Sequence, residues 1–168
     1  MVRRISLSVL IACLASITNQ PAFGNDSDDG WISLFDGRTL NGWKASENKS
    51  AFSVRDGIIV AQGRRSHLYY AGPVEDANFK DFEFKADVMT KPGANSGMYF
   101  HTEYRETGWP RKDYEVQVNN THSDWRKTGS LYGIKDIRKS PENGTGMWTH
   151  YKRYVLAETR WQQTNSAP

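Results

Sequence analysis

The run Glu115-Val116-Gln117-Val118-Asn119 places a carboxylate and two amides on alternate residues. In an extended strand such residues share one face and stand ~7 Å apart, two steps of ~3.3 Å each. If that face lines a groove, it can hydrogen-bond hydroxyl groups and supply a group for acid–base work. Only Glu115 is acidic, so the run lacks the second carboxylate of paired-carboxylate glycoside hydrolysis. Taken alone, Glu115 reads first as a solvent-facing strand residue. His122, in Asn120-Thr121-His122-Ser123-Asp124, has the titration range of a general base and the lone pair of a metal ligand. His101, predicted on the polar face of its own strand, is a second such candidate. His101, His122 and Glu115 show no diagnostic ligand spacing, so a divalent metal has no support from the pattern and no cofactor is evident. No G-x-S-x-G elbow accompanies the Ser-His-Asp residues, which leaves nucleophilic serine chemistry weakly supported. Asn95-Ser96-Gly97 marks a loop-to-strand junction, where Gly97 admits close approach by a strand or a ligand. Thr128-Gly129-Ser130-Leu131-Tyr132-Gly133 reads as a Gly-flanked short strand that offers Tyr132 to a groove.

The elements that must position these residues are β-strands. Phe52-Ser53-Val54 and Ile58-Ile59-Val60 flank Asp56-Gly57, a pair that supplies the positive φ angles of a tight hairpin. Phe82, Phe84, Ala86 and Val88 share one parity, and Glu83, Lys85 and Asp87 the other, which predicts a half-buried strand. Lys91-Pro92-Gly93-Ala94-Asn95 reads as a loop. Gly97 to His101 follows as a strand, with Met98 and Phe100 on one face and Tyr99 and His101 on the other. Tyr114, Val116 and Val118 oppose Glu115, Gln117 and Asn119. A helical period arises only from Tyr151 to Gln163, and there weakly. Many short strands separated by Gly, Asn and Pro turns predict an all-β sandwich or jelly roll. The 6 Trp and 8 Tyr are a heavy aromatic load, suited to such a core and to stacking on sugar rings.

The N-terminus has the order of a secretion signal. Basic Met1-Val2-Arg3-Arg4 precedes a ~13-residue apolar run from Ile5 to Ile17, too short for the ~20 residues of a membrane span. Ala22 and Gly24 then fit the −3 and −1 places of a cut after Gly24. Residues 1–24 are therefore expected to be a signal peptide and 25–30 a flexible leader, with the product exported to the periplasm or beyond. Leu10-Ile11-Ala12-Cys13 also fits a lipoprotein box, in which Cys13 would carry a lipid anchor. Cys13 is the single cysteine, so a cut after Gly24 excludes any disulfide. The chain has 22 Lys and Arg against 19 Asp and Glu; without Arg3 and Arg4 the balance is 20 against 19. The basic excess thus belongs to the leader, and no nucleic-acid partner is expected.

Six segments in order resemble the 3-keto-disaccharide hydrolase family of exported proteins. They are Trp31-Ile32-Ser33-Leu34-Phe35-Asp36-Gly37-Arg38-Thr39-Leu40-Asn41-Gly42-Trp43, Phe52-Ser53-Val54-Arg55-Asp56-Gly57, Phe79-Lys80-Asp81-Phe82-Glu83-Phe84, Asn95-Ser96-Gly97-Met98-Tyr99-Phe100, Tyr114-Glu115-Val116-Gln117-Val118 and Thr128-Gly129-Ser130-Leu131-Tyr132-Gly133. The resemblance implies a concanavalin A-like jelly-roll β-sandwich of two antiparallel sheets over residues 31–150. It implies a carbohydrate partner: 3-keto-disaccharides or 3-keto-glucosides, whose oxidised C3 acidifies the neighbouring C–H. A base then removes that proton, the glycosidic oxygen leaves by elimination, and water adds. This route needs one base and a polarised ketone rather than two carboxylates. On the resemblance, Glu115 or His122 is the base, and Asn95, Gln117, Tyr132 and His101 contact the sugar. A non-catalytic carbohydrate-binding module on the same fold, or an inactive fragment of the enzyme, is the alternative.

Beyond Trp148 the chain departs from the family's Gly-Asn turn, Asn-Gly hairpin and closing strands, so 151–168 is read as a divergent tail and the sandwich as incomplete at the C-terminus. Back-translation from the third base of the Tyr151 codon permits Gln-Thr-Ile-Arg-Ala-x-Gly-Asn-x-Val-Ala-Thr. That string restores the family pattern, and the expectation is a frameshift near Tyr151.

Overall fold

The computed structural model of the chain describes residues 3–7, 30–111, 114–140 and 148–156. Within them the strands are β1 (Arg3–Leu7), β2 (Trp31–Ser33), β3 (Trp43–Ala45), β4 (Phe52–Arg55), β5 (Ile58–Ala61), β6 (Leu68–Tyr70), β7 (Phe82–Met89), β8 (Ser96–Phe100), β9 (Tyr114–Val118) and β10 (Trp148–Leu156). No α-helix occurs among the described residues; short 3-10 turns lie at Lys49–Ala51 and Val74–Ala77. The fold is all-β, as the alternating pattern requires. Strands β10-β7-β1-β2 form one sheet in that order, and β3 with β6, β4 with β5 and β8 with β9 form antiparallel ribbons.

One strand differs from the antiparallel expectation. β1 runs parallel to both β2 and β7, with Ile5 opposite Ile32 on one side and Phe84 on the other. Part of the expected leader is thus a sheet strand in the full chain; residues 8–29, with Cys13 and the expected cut, lie outside the described residues. The weak helical period from Tyr151 is also corrected: Trp148–Leu156 is strand β10, antiparallel to β7. A register shift between Tyr151 and Tyr154 interrupts the ladder. Such a bulge adds a residue to the period of two, so Tyr151 and Tyr154, opposite Ala86 and Phe84, take the i, i+3 spacing that a helix also has.

The β4–β5 hairpin closes as the sequence dictates. Arg55 pairs with Ile58, and Asp56 and Gly57 have φ of 49° and 79°. Two successive positive φ angles match the twist of the flanking strands. On β7, Phe82 and Ala86 are buried, and Phe84 and Val88 pack on buried neighbours. Leu34 and Phe82 centre one cluster with Trp43, Tyr70 and Phe79 around them; Val116 and Val118 centre another with Val88 and Met98. Phe100 packs against both clusters and so ties β8 and β9 to the rest. The Trp43 indole N–H donates to the Leu34 carbonyl at 3.0 Å, which satisfies its polar edge inside the core.

Candidate functional site

The β8–β9 ribbon sets the geometry of the site. Its register pairs Gly97 with Gln117, Tyr99 with Glu115, and Phe100 with Tyr114. Directly opposed residues of an antiparallel pair share a face. Met98, Val116 and Val118 therefore face the core, while Gly97, Tyr99, Glu115 and Gln117 share the other face. The segment 130–132 joins beside β9. The Gln117 N–H donates to the Ser130 carbonyl and the Tyr132 N–H to the Glu115 carbonyl, both at 2.9 Å, and Leu131 bridges Val116. Tyr132 thus flanks Glu115 on one side and Tyr99 on the other. Of the face residues Gly97, Tyr99, Glu115, Gln117, Ser130 and Tyr132, one is acidic.

The Glu115 side chain lies across the β8 backbone. A Cβ added at Gly97 would fall 2.7 Å from Glu115 Cγ and 2.8 Å from Cδ, and closer still to Oε1. The close approach that Gly97 permits is thus made by Glu115. The Tyr132 hydroxyl accepts a hydrogen bond from Arg126 Nη1 at 3.3 Å, and the Arg126 guanidinium lies 4.3 Å from the Tyr132 ring centroid. Tyr132 is 40% exposed, so its ring edge borders open space.

The structure divides the other expected site residues. Gln117 is 2% exposed, and its Oε1 accepts the Val118 N–H at 3.1 Å. It braces the strand and presents no open donor face to a sugar. Asn119 is fully buried: Nδ2 donates to the carbonyls of Asp124 at 3.0 Å and Arg126 at 2.7 Å, and Oδ1 accepts the His122 N–H at 2.9 Å. The continuous polar face expected from Glu115 to Asn119 is therefore reduced to Glu115; its other two members hold the scaffold.

His122 sits in the loop that Asn119 organises. Its Nδ1 accepts the Asp124 N–H at 3.1 Å, so the neutral ring carries its proton on Nε2. Four steps separate Glu115 from Asn119, ~13 Å at ~3.3 Å per residue, and His122 follows in the loop beyond Asn119. Asn95 is exposed and adjoins Ser96, which pairs with Val118, and this places Asn95 at the His122 end. There the Gly93 N–H donates to Thr121 Oγ1 at 2.9 Å, tying the two loops together.

His101 is not on the Tyr99 face. β8 ends at Phe100, and His101 has a φ of 54°, which turns the side chain out of the alternation. Its ring lies 5.8 Å from Phe82, 5.7 Å from Phe100 and 6.4 Å from Tyr114, all edge-on. Burial there holds its pKa below the ordinary histidine value, with Asp81 pulling weakly the other way. The half-buried ring packs against Phe82, Phe100 and Tyr114 and does not share the face of Tyr99 where the alternation had put it.

A second histidine, which the pattern did not single out, stands where His101 was expected. The His67 ring meets Tyr99 edge-on at 5.5 Å and Trp109 at 5.4 Å. Backbone bonds fix it: the Ser46 N–H donates to the His67 carbonyl at 2.9 Å, and the His67 N–H to Ser46 Oγ at 2.8 Å. Tyr69 and Tyr104 meet at 5.1 Å, with Lys44 Nζ 3.6 Å from the Tyr104 ring centroid. Trp109 is 58% exposed and has the Arg65 guanidinium 5.4 Å from its ring centroid. Arg65 pairs with Glu47 at 2.8 Å, and that hydrogen bond holds Glu47 below the usual carboxylate range. The Tyr104 hydroxyl donates to Glu106, which pushes its pKa up to about 12 and keeps it a phenol. The signal for this wall was the density of His67, Tyr69, Tyr70, Tyr104 and Trp109. Their convergence with Tyr99 rests on ring contacts between segments distant in sequence, His67 with Tyr99 and Trp109, and Tyr69 with Tyr104.

The arrangement is a carboxylate between two tyrosines, with aromatic rings and cations on the Tyr99 side. Such a surface can stack a sugar ring and take a proton from it. Among the described residues, no three His, Cys, Asp or Glu side chains converge as a metal site. No helix among them is long and apolar enough to cross a membrane.

The family model of the 3-keto-alpha-glucoside-1,2-lyase-like domain matches residues 30–164. The chain belongs to that family. A Bacteroides thetaiotaomicron protein named 3-keto-disaccharide hydrolase is 28% identical over 161 aligned residues, covering 78% of this chain and 54% of that protein. The chain thus spans about half the length of the curated relative it matches. The match encloses every element of the face around Glu115, from the His67 wall to the Tyr132 ribbon.

Proposed function

We propose that this chain is a glycoside-cleaving hydrolase acting on 3-keto-glucosides or 3-keto-disaccharides, with Glu115 as its base. The observation that carries this reading is the single carboxylate of the site face, Glu115, set between Tyr99 and Tyr132. Family membership supports the choice of substrate class. A ketone at C3 acidifies the C2 proton, so one carboxylate suffices. Glu115 removes that proton, the electron pair forms the C1–C2 double bond, and the C1–O glycosidic bond breaks. The departing oxygen takes up the proton from Glu115. Water then adds across the double bond, hydroxyl to C1 and proton to C2, and releases the second free sugar. Tyr132, whose hydroxyl accepts from the Arg126 guanidinium, donates a hydrogen bond to the ketone oxygen, where negative charge gathers as the C2 proton leaves. Tyr99, His67 and Trp109 form the wall on which the sugar ring stacks.

The test is a 3-keto-glucoside with a chromogenic leaving group. Glu115→Gln should lower kcat by ~100-fold or more while binding persists, the usual range for loss of a general base. A Glu115→Gln protein that turns over at the wild-type rate removes Glu115 from the mechanism. Binding without release of free sugar by the wild type would establish the binding-module alternative. We further propose that the chain is exported by residues 1–24. N-terminal sequencing of the exported protein that begins at Asn25 would support this, and a lipid-modified Cys13 would replace it with a tethered form.

A further inference from the structure

We infer that Gly97 is a positioning residue that seats the Glu115 carboxylate; the inference rests on the base role proposed for Glu115. Glycine is costly inside a strand, where it loses more backbone freedom than alanine and offers no side chain to pack. It is usually retained where φ is positive, but Gly97 is not among the positive-φ glycines, so its backbone suits any residue. What excludes a side chain is Glu115. The nearest atoms to an added Cβ are Glu115 Oε1, Cγ and Cδ, the latter two at 2.7 and 2.8 Å. Backbone is not among these three nearest atoms. The first obstacle to a side chain at this position is therefore the observed Glu115 conformation.

Two glycines sharpen the contrast. Gly42 has a φ of 79°, and its added Cβ would meet the Gly72 backbone at 3.2 Å, so backbone conformation and backbone packing both favour glycine there. Gly72 resembles Gly97 in having ordinary φ and a side chain across it, but that side chain is Tyr70. Tyr70 packs in the core around Leu34 and Phe82 and has no room to yield. Glu115 is half-buried and belongs to neither core cluster, so a methyl group at position 97 displaces the carboxylate first. Because Tyr99 and Tyr132 stand on the ribbons either side, a shift of Glu115 changes its distance to a sugar held between them. A 1 Å misplacement of a reacting group costs up to ~100-fold in rate.

The experiment compares wild type, Gly97→Ala, Glu115→Gln and the double variant in the full chain. Three readouts are used: thermal unfolding, turnover of a 3-keto-glucoside, and titration of the Glu115 carboxyl by carbon-detected NMR. Gly97→Ala should unfold cooperatively at or above the wild-type temperature. Its kcat should fall about 10- to 100-fold with KM little moved, and its Glu115 titration midpoint should shift. In the Glu115→Gln background, Gly97→Ala should cost nothing further, because the group it displaces is already inert. A Gly97→Ala protein that fails to fold, or keeps both the wild-type kcat and the wild-type titration midpoint, overturns the inference. So does an equal loss with Glu115 present or replaced. If the wild type cleaves no 3-keto-glucoside, the proposed function fails, and the titration alone decides whether Gly97 seats Glu115.

Discussion

Asn119 offers the sharpest test of how the site is held. Its side chain is fully buried and makes three hydrogen bonds to one loop, with the Asp124 carbonyl, the Arg126 carbonyl and the His122 N–H. Asn119→Ala removes all three. Each is worth about 0.5–1.5 kcal/mol net, so the loss is about 3 kcal/mol before any relaxation of the loop. For a domain of this size that lowers Tm by roughly 10 °C. The loss should be local before it is global. Amide exchange at His122 should quicken by ~10-fold or more, while the Phe82 and Ala86 amides of β7 follow only global stability. The released segment also carries Arg126, whose guanidinium donates to the Tyr132 hydroxyl, so turnover of a 3-keto-glucoside should fall although Asn119 touches no substrate. Chemical denaturation and native-state exchange on the same samples provide the measurement. A variant within about 1 kcal/mol of wild type, with unchanged exchange at His122, would refute the reading of Asn119 as a scaffold.

Three further outcomes are expected. Gly72→Ala, which drives a methyl group into the Tyr70 ring, should destabilise by about 1–3 kcal/mol in a denaturant melt, whereas Gly97→Ala should not. Burial lowers the folded-state pKa of His101 below its unfolded value, so the unfolded chain binds the extra proton first. Stability from this group is present above about pH 6.5 and falls as pH drops toward the folded pKa; His101→Gln should flatten that limb of a pH-dependent melt, and an unchanged slope would contradict it. A chain beginning at Asn25 lacks Arg3–Leu7, the strand paired with β2 in this structure. Its Trp31 to Ser33 amides should exchange faster than in the full chain, and equal protection would show that another segment takes that place.

Local pattern carried much of the architecture. The Asp56-Gly57 hairpin, the parity of Phe82, Phe84, Ala86 and Val88, and the alternation from Tyr114 to Val118 follow from turn chemistry and the period of two. Where a residue broke that period, sequence reasoning failed. The positive φ of His101 moved its ring to the core side, and the bulge between Tyr151 and Tyr154 gave a strand the spacing of a helix. Burial was the other blind spot. Gln117 and Asn119 alternate correctly with Glu115, yet Gln117 Oε1 is taken by the Val118 N–H of its own strand and the Asn119 amide by the loop after β9. Alternation assigns a face and says nothing of what covers it.

By itself the sequence determined an all-β chain, its family, and Glu115 as the acidic member of a polar strand face. Those follow from nearest-neighbour geometry and ordered motifs, which a linear pattern records. Only the tertiary structure decided which residues stand beside that carboxylate. It set Tyr132 against Glu115 through the ribbon at 130–132, brought His67 and Trp109 to Tyr99, and sent His122 and Asn95 to the opposite end. These contacts depend on how separate ribbons pack and register, long-range choices that spacing along the chain does not encode. Gly97 shows the difference: in sequence it is a glycine in a strand, and in the fold it is the gap into which Glu115 fits.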